Sequence, residues 1–441
     1  MASNEFRVII VGAGPVGLYV AHSLSAANIP FVVLEQQPSV VNYFGAMVFT
    51  WPHTVRLLDQ IGLYEAAKGV SVPIHAKKRV FGGDGSVLTT SNFWEHMHQN
   101  HGYPFLPILR SDVVKILYES LPNKDACVKT NAEVVDIGLY ADEVHVHLKD
   151  GSVHKGSIVI GADGVHSKTR TIMQRLARDS EAAAAGESPM VSTFYGIVAR
   201  APNDFGLEEG VFFESRGGDA AIQCTVTGGM LNYATLKRLP ETVRGRRKYA
   251  AAEMEEYAKS LSDVWVGPGV KFSDVWARTD KALARMLNQE EGFVDRWSYD
   301  RIVLLGDAVH KMTSINGLGL TCGLHSAAAL ANELQGLVAA HGANPSVGRL
   351  AEAFARYRES RRGEARQIFT RGFTMIREVT RKSWANWFWD SYVLPWIDTE
   401  AIGRGLFVSL MVIRSGQVLA YVPFEGKHGA VPWLRRAGGE P

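Results

Sequence analysis

The hydrophobic positions of the chain fall into two rhythms. Arg7-Val-Ile-Ile-Val11 is a continuous apolar, β-branched run that stops at glycine, the pattern of a strand buried on both faces of a parallel sheet. Gly17–Ala26 reads as a helix and Phe31–Leu34 as a second apolar strand ending in Glu35. A βαβ unit of the usual size, about 30 residues, therefore opens the chain. Thr54–Lys68 and Ser111–Leu121 carry apolar residues at helical spacing. Val134–Gly138 and Glu143–Leu148 alternate like strands, and the turn Lys149-Asp150-Gly151 leads to a further hairpin arm. Ile158-Val-Ile160 is another apolar strand ending in glycine, and Arg178–Ser188, rich in alanine, reads as an exposed connection or frayed helix. Beyond it, Val191–Val198, Gly210–Glu214, Ala220–Val226 and Leu231–Leu236 follow as strands between glycine-rich turns, which predicts an antiparallel sheet. Arg246–Ser262 has the spacing of an amphipathic helix. Tyr299–Leu305 returns to the apolar-strand pattern, and after a glycine-rich loop a long helix is expected from about Cys322 to Ala340. Segments of α/β type at both ends thus enclose a β-rich middle. The expected class is mixed α/β (α+β), with one discontinuous α/β domain interrupted by a sheet domain.

Composition narrows the functional classes. With 441 residues, 46% hydrophobic and 21% charged, the chain has the make-up of an ordinary globular protein. A net charge of +2 gives no nucleic-acid footprint. The three cysteines, Cys127, Cys224 and Cys322, lie far apart without CxxC or Cys/His spacing, so neither a disulfide framework nor a metal site is expected. The first residues carry no basic stretch followed by an apolar one, which predicts no secretory leader and, with the unpaired cysteines, a cytoplasmic location. Gly405–Ile413, bounded by Arg404 and Arg414, is far short of the ~20 apolar residues that a bilayer requires. It is left two options, packing in a core or peripheral contact with a membrane surface. Trp384, Trp387, Trp389 and Trp396 make the last stretch aromatic, and packing is the expected use of that cluster.

Three short motifs carry the chemistry. In Gly12-Ala-Gly14-Pro-Val-Gly17, Gly12 permits a tight turn, Gly14 lets a pyrophosphate reach the backbone, and Gly17 lets helix and strand pack closely. The helix N-terminus adds amides and a positive dipole. Glu35, 18 residues beyond Gly17 at the tip of the next strand, suits ribose hydroxyls. This motif alone does not separate NAD from FAD. The second is Gly161-Ala-Asp163-Gly164-Val-His166-Ser167-Lys-Thr-Arg170, and the third Gly306-Asp307-Ala308-Val-His310, each at the end of an apolar strand. Singly, either is common turn chemistry.

In this order and spacing, the three motifs resemble the fingerprints of class A flavoprotein monooxygenases, the p-hydroxybenzoate hydroxylase-like group. The resemblance is nearer still to the fungal branch that oxidises prenylated indoles, meroterpenoids and polyenes. It runs through Leu34-Glu35, Pro52 to Tyr64, Arg110 with its helix, Glu290 to Tyr299 and Arg301 to Thr313. It implies a Rossmann-type FAD-binding domain of residues 1–75, 105–180 and 290–380, a β-sheet substrate domain of 76–104 and 181–289, and a C-terminal helical, aromatic extension of 381–441. It also implies that Asp307 holds the ribityl chain, Asp163 shapes the dinucleotide groove and Arg110 contacts FAD. Ala46 and Phe49 would lie beside the flavin, as would Gly317, Gly319 and Leu320. Relatives carry smaller residues where this chain has Phe49, Leu318 and Leu320, so a tighter space at the isoalloxazine is expected.

The same resemblance implies that NADPH or NADH reduces FAD and that O2 is activated as a flavin C4a-hydroperoxide. A bulky, hydrophobic, electron-rich substrate would then be epoxidised or hydroxylated. No metal enters this chemistry. Tyr195 stands near where some relatives carry an acid-acting arginine; it either serves a substrate oxygen or packs in the sheet. His166 and His310 are expected to shape local backbone. A halogenase would need a Trp-x-Trp-x-Ile-Pro signature, to which Trp387-Phe-Trp389-Asp-Ser-Tyr392 is a poor match. A flavin-dependent reductase or dehydrogenase remains the other alternative.

Overall fold

The computed structural model describes residues 5–42, 46–177, 190–217, 219–380, 388 and 405–438. Arg178–Ser188 and the four tryptophans at 384–396 lie outside the described residues.

Two sheets organise the molecule. Among the described residues the first has six strands, in the order Ser298–Tyr299, Ile302–Leu304, Ile158–Gly161, Val8–Val11, Phe31–Leu34 and Val128–Lys129. Its neighbours are parallel except the short first pair. Ile9, Val33, Ile160 and Val303 are fully buried, as both faces of a parallel sheet require. Pro15–Ala26 and Gly319–His341 pack together against it. The long helix starts at Gly319, three residues earlier than the apolar spacing suggests, because Cys322 N already donates to Leu318 O. The expected helix over Thr54–Lys68 is two, Pro52–Gln60 and Tyr64–Gly69, broken where Gly62 turns left-handed at φ 77°. The helix expected over Arg246–Ser262 is confined to Ala251–Lys259.

The second sheet has eight strands among the described residues. Their order is His310–Lys311, Arg285–Phe293, Val191–Pro202, Met230–Arg244, Ala220–Thr227, Val211–Gly217, Ala76–Val80 and Val87–Ser91. All neighbours are antiparallel except Val211–Gly217 with Ala76–Val80. One face buries Ile197, Phe213, Ile222 and Tyr233 beneath the helices Ala251–Lys259 and Phe272–Arg278. The other, with Phe194, Ala221 and Leu236, meets Ile315 and the end of the helix Val347–Val379.

Past Gly405–Met411 and a short 3-10 turn, the described chain has no further helix. Leu406, Phe407, Leu410 and Met411 are exposed, and no helix among the described residues is long and apolar enough to cross a membrane. The irregular strap over 416–438 is laced by polar groups to the helices Pro15–Ala26, Pro52–Gln60 and Gly319–His341. Gln60 bonds Leu419 and Val422, Asn332 bonds Val418 and Ala420, and Tyr421 Oη donates to Ser23 O. The Arg56 guanidinium lies 4.4 Å from the Trp433 ring and donates to Arg435 O.

Candidate active site at three strand tips

Strands Val8–Val11, Ile158–Gly161 and Ile302–Leu304 are adjacent and parallel, so their carboxyl ends bring the three motifs side by side. In the first motif two glycines are demanded by packing. Gly12 has φ 102°, and a Cβ on it would stand 2.7 Å from Ala162 O; a Cβ on Gly17 would stand 2.0 Å from Gly12 O. Gly14 differs, since a Cβ there would meet nothing within 4 Å. It borders open space at the helix start, where no side chain caps the first amides. Glu35 closes the rim, accepting from Ala13 N at 2.9 Å and Gln37 N at 2.8 Å. An open backbone cradle, uncapped amides and a carboxylate at the next strand tip fit the phosphates and ribose of a dinucleotide.

Asp163 spends both oxygens inside its own loop. Oδ1 accepts from Ser167 Oγ at 2.5 Å, and Oδ2 from Thr169 N and Oγ1 at 2.9 and 3.0 Å. It fixes the start of the helix Lys168–Leu176. Arg170, which sequence reasoning quoted without a role, is buried and donates to Val165 O at 2.8 Å and Ala308 O at 2.9 Å. It ties the second motif to the third. Its position within the second motif was the available signal, but its partner 138 residues away was not readable.

Asp307 sits in a 3-10 turn, its side chain 35% exposed, with Lys311 Nζ 2.9 Å from Oδ2. Burial alone would raise its carboxyl; Lys311, His310 and Arg110 hold it below the usual carboxylate range. Lys311 was not singled out from sequence, although its i, i+4 spacing from Asp307 was visible. Arg110 begins the helix Arg110–Glu119, is exposed, and donates its backbone N–H to Ala46 O at 3.1 Å. Arg110 is thus tied to Ala46 through the backbone, and its charge reaches the Asp307 carboxyl. His310 is buried against Phe293 and Trp297, and burial lowers its pKa to about 4, so it is neutral at pH 7. His166 is exposed and pairs with Glu290 at 3.1 Å.

The loop before the long helix forms the other wall. Gly317 has φ 63°, and a Cβ on it would come within 3.0 Å of Phe49 Cβ. Gly319 and Leu320 belong to the first helical turn, which has no side-chain cap. Phe49 stacks on Phe105 with centroids 5.3 Å apart and meets Phe212 of the second sheet edge-on at 5.5 Å. An aromatic wall thus joins the strand of Phe49 to the eight-stranded sheet beside the loop.

Tyr195 lies on the other side of the sheet. Phe194 faces Ile315, whereas the Tyr195 ring is 5.0 Å from Tyr257 and 6.1 Å from Tyr249, on the helix-covered face. Consecutive strand residues point to opposite faces, so only one of the pair can look toward the loop. The sequence reading that put Tyr195 at the substrate is corrected on this geometry. Among the described residues no group of three or more His, Cys, Asp or Glu is placed to hold a metal ion.

Comparison with known proteins gives the same picture. The FAD binding domain family matches residues 5–368. The chain is 55% identical to the FAD-dependent monooxygenase srdH of Neurospora crassa, over 98% of this chain and 99% of that protein. It is 31% identical to the FAD-dependent monooxygenase prhF of Penicillium brasilianum, over 97% of this chain and 89% of that one. Among solved structures, HpxO of Klebsiella pneumoniae complexed with FAD superposes with a TM-score of 0.76 at 18% identity, covering 92% of this chain and 99% of that one. That likeness is one of fold.

Proposed function

The chain belongs to the FAD binding domain family and is a class A FAD-dependent monooxygenase, and on that premise we propose that it uses NADPH or NADH and O2 to epoxidise or hydroxylate a bulky, electron-rich secondary metabolite. The observation that carries the reading is the adjacency of three parallel strand tips bearing Gly14, Asp163 and Asp307. When bound, FAD supplies the redox chemistry, passing electrons from the nicotinamide to O2. The chain's own residues bind, orient and exclude water.

Gly14 and the uncapped amides after Pro15 would take the pyrophosphate, and Glu35 the adenosine ribose. Asp307, kept anionic by Lys311, would accept hydrogen bonds from the ribityl hydroxyls. Asp163 and Arg170 act through shape, holding the two motifs in register. Arg110 and Ala46 would border the flavin ring. The first amides of Gly319–His341 would meet the ring's carbonyl edge and favour negative charge there. Phe49, Phe105 and Phe212 would keep water from the reacting atoms and offer a flat apolar surface to a conjugated substrate.

Purified protein should be yellow, and its nicotinamide oxidation should be stimulated by a conjugated substrate. Under labelled dioxygen, one labelled oxygen atom should enter the product. An unlabelled product formed equally well without oxygen would replace this reading with a dehydrogenase or reductase.

A further inference from the structure

The sheet face toward the flavin loop carries a charge imbalance. Ala76–Val80 runs parallel to Val211–Gly217 with Lys77 opposite Phe212 and Arg79 opposite Glu214, while Glu214 also pairs with Gln223. Strand alternation puts these side chains on one face. Two links locate that face. Gln223 Nε2 donates to Ile315 O at 3.2 Å, two residues before Gly317, and the Phe212 ring stands 5.5 Å from Phe49.

Glu214 is 1% exposed. Its Oε2 lies 3.2 Å from Lys77 Nζ, and Arg79 and Arg216 lie 3.7 and 3.6 Å from Oε1. Burial would raise this carboxyl, but Lys77, Arg216 and Arg79 hold it far below its ordinary range, so it is anionic. Even without Arg216, one carboxylate faces two cations. The Arg79–Glu214 separation is an ion pair beyond hydrogen-bond reach, and Arg79 Nε is buried with no acceptor among the described residues. Surplus buried charge with unused donors is costly unless something completes it. The side chains of Lys77 and Arg79 keep 19% and 12% exposure, so both stay within reach of the cleft, and Lys77 Nζ is 5.9 Å from the Phe212 ring centre.

Resting on the reading of function above, we propose that the substrate carries an anionic oxygen, a carboxylate or an ionised phenol or enol, which docks on Lys77 and Arg79 while its conjugated body lies along Phe212 and Phe49. A guanidinium beside an ammonium suits such an oxygen in both charge and donor geometry.

The test titrates the FAD-loaded enzyme with 1-naphthoate, 1-naphthamide and 4-nitrophenolate, following the flavin absorbance. At least one anion should bind about tenfold or more tightly than the neutral amide, the scale of a charged hydrogen bond. Preference for naphthoate assigns a carboxylate, and for nitrophenolate an ionised phenol. Arg79→Gln and Lys77→Met should each bring the ratio toward one with unchanged FAD content. Lys78→Met, on the opposite sheet face beside Glu208, should leave it alone. If Arg79→Gln does not fold, Lys77→Met gives the same reading, since its stem packs as lysine's does. Equal binding of anions and amide by the parent enzyme, or a preference that survives both substitutions, overturns the proposal. Failure to take up FAD would instead strike the reading of function, and flavin absorbance reports that separately.

Discussion

The two ends of the cleft are built by opposite means. At the strand tips the walls are backbone: Gly12 and Gly17 are glycines because any side chain would strike a carbonyl, and the groups left uncapped are amides at helix starts. On the facing sheet the wall is made of side chains, Lys77, Arg79, Phe212 and Glu214, gathered from two separate stretches. A backbone site tolerates few substitutions and serves one fixed ligand. A side-chain site can be rewritten one residue at a time, which suits a fold that meets many substrates.

The sharpest test of that contrast sits within one motif. Gly17→Ala puts a methyl 2.0 Å from Gly12 O and should destabilise the protein by on the order of 3 kcal/mol, with loss of yellow soluble protein. Gly14→Ala meets open space and should melt as the parent does while losing FAD affinity. If both variants behave alike, the distinction between packing glycine and ligand glycine fails.

Asp307→Ala should follow, retaining its fold but binding FAD about tenfold to a hundredfold more weakly, as loss of a charged hydrogen-bond acceptor implies. Flavin fluorescence on dilution measures it, and unchanged affinity would remove Asp307 from the site.

The backbone domain should also set the acid limit. Burial lowers His53 to about 3 and His101 and His310 to about 4, and holds His325 well below its ordinary value. These imidazoles stay neutral when folded but take up protons when unfolded below about pH 6.5. Unfolding therefore binds protons, and stability falls as pH drops from about 6.5 toward 4, by up to about 1.4 kcal/mol per pH unit for each such group. Melting temperatures across that range report it, and His310→Gln should flatten the slope. A flat profile in the parent would contradict the burial. The smallest effect is expected at Tyr195→Phe. Its ring packs on Tyr257 and Tyr249, so turnover should change by less than about twofold, within the ordinary scatter of a neutral substitution.

These contrasts also explain what could be read from sequence. Gly12, Gly17 and the apolar strands were legible because local geometry dictates those residues wherever they occur. Asp163 was legible as a motif, yet its work inside its own loop was not. Tyr195 was left between two roles, and the register shift between Ser192 and Phe194, which decides the face of each residue beyond it, is not readable from alternation. Lys77 and Arg79 stand in the run Ala76-Lys-Lys-Arg-Val80, which drew no role from sequence. Only pairing with a segment more than a hundred residues away brings them to a buried glutamate.

The strap over 416–438 has a consequence for how the protein comes into being. Gln60, Asn332 and Arg56 belong to segments made earlier, and their partners, Leu419, Val418 and Arg435, are made much later. Synthesis proceeds from the N-terminus, so these polar groups must wait, wet, until the strap has been made. A stop before the strap would leave those polar groups without the partners that the folded chain gives them.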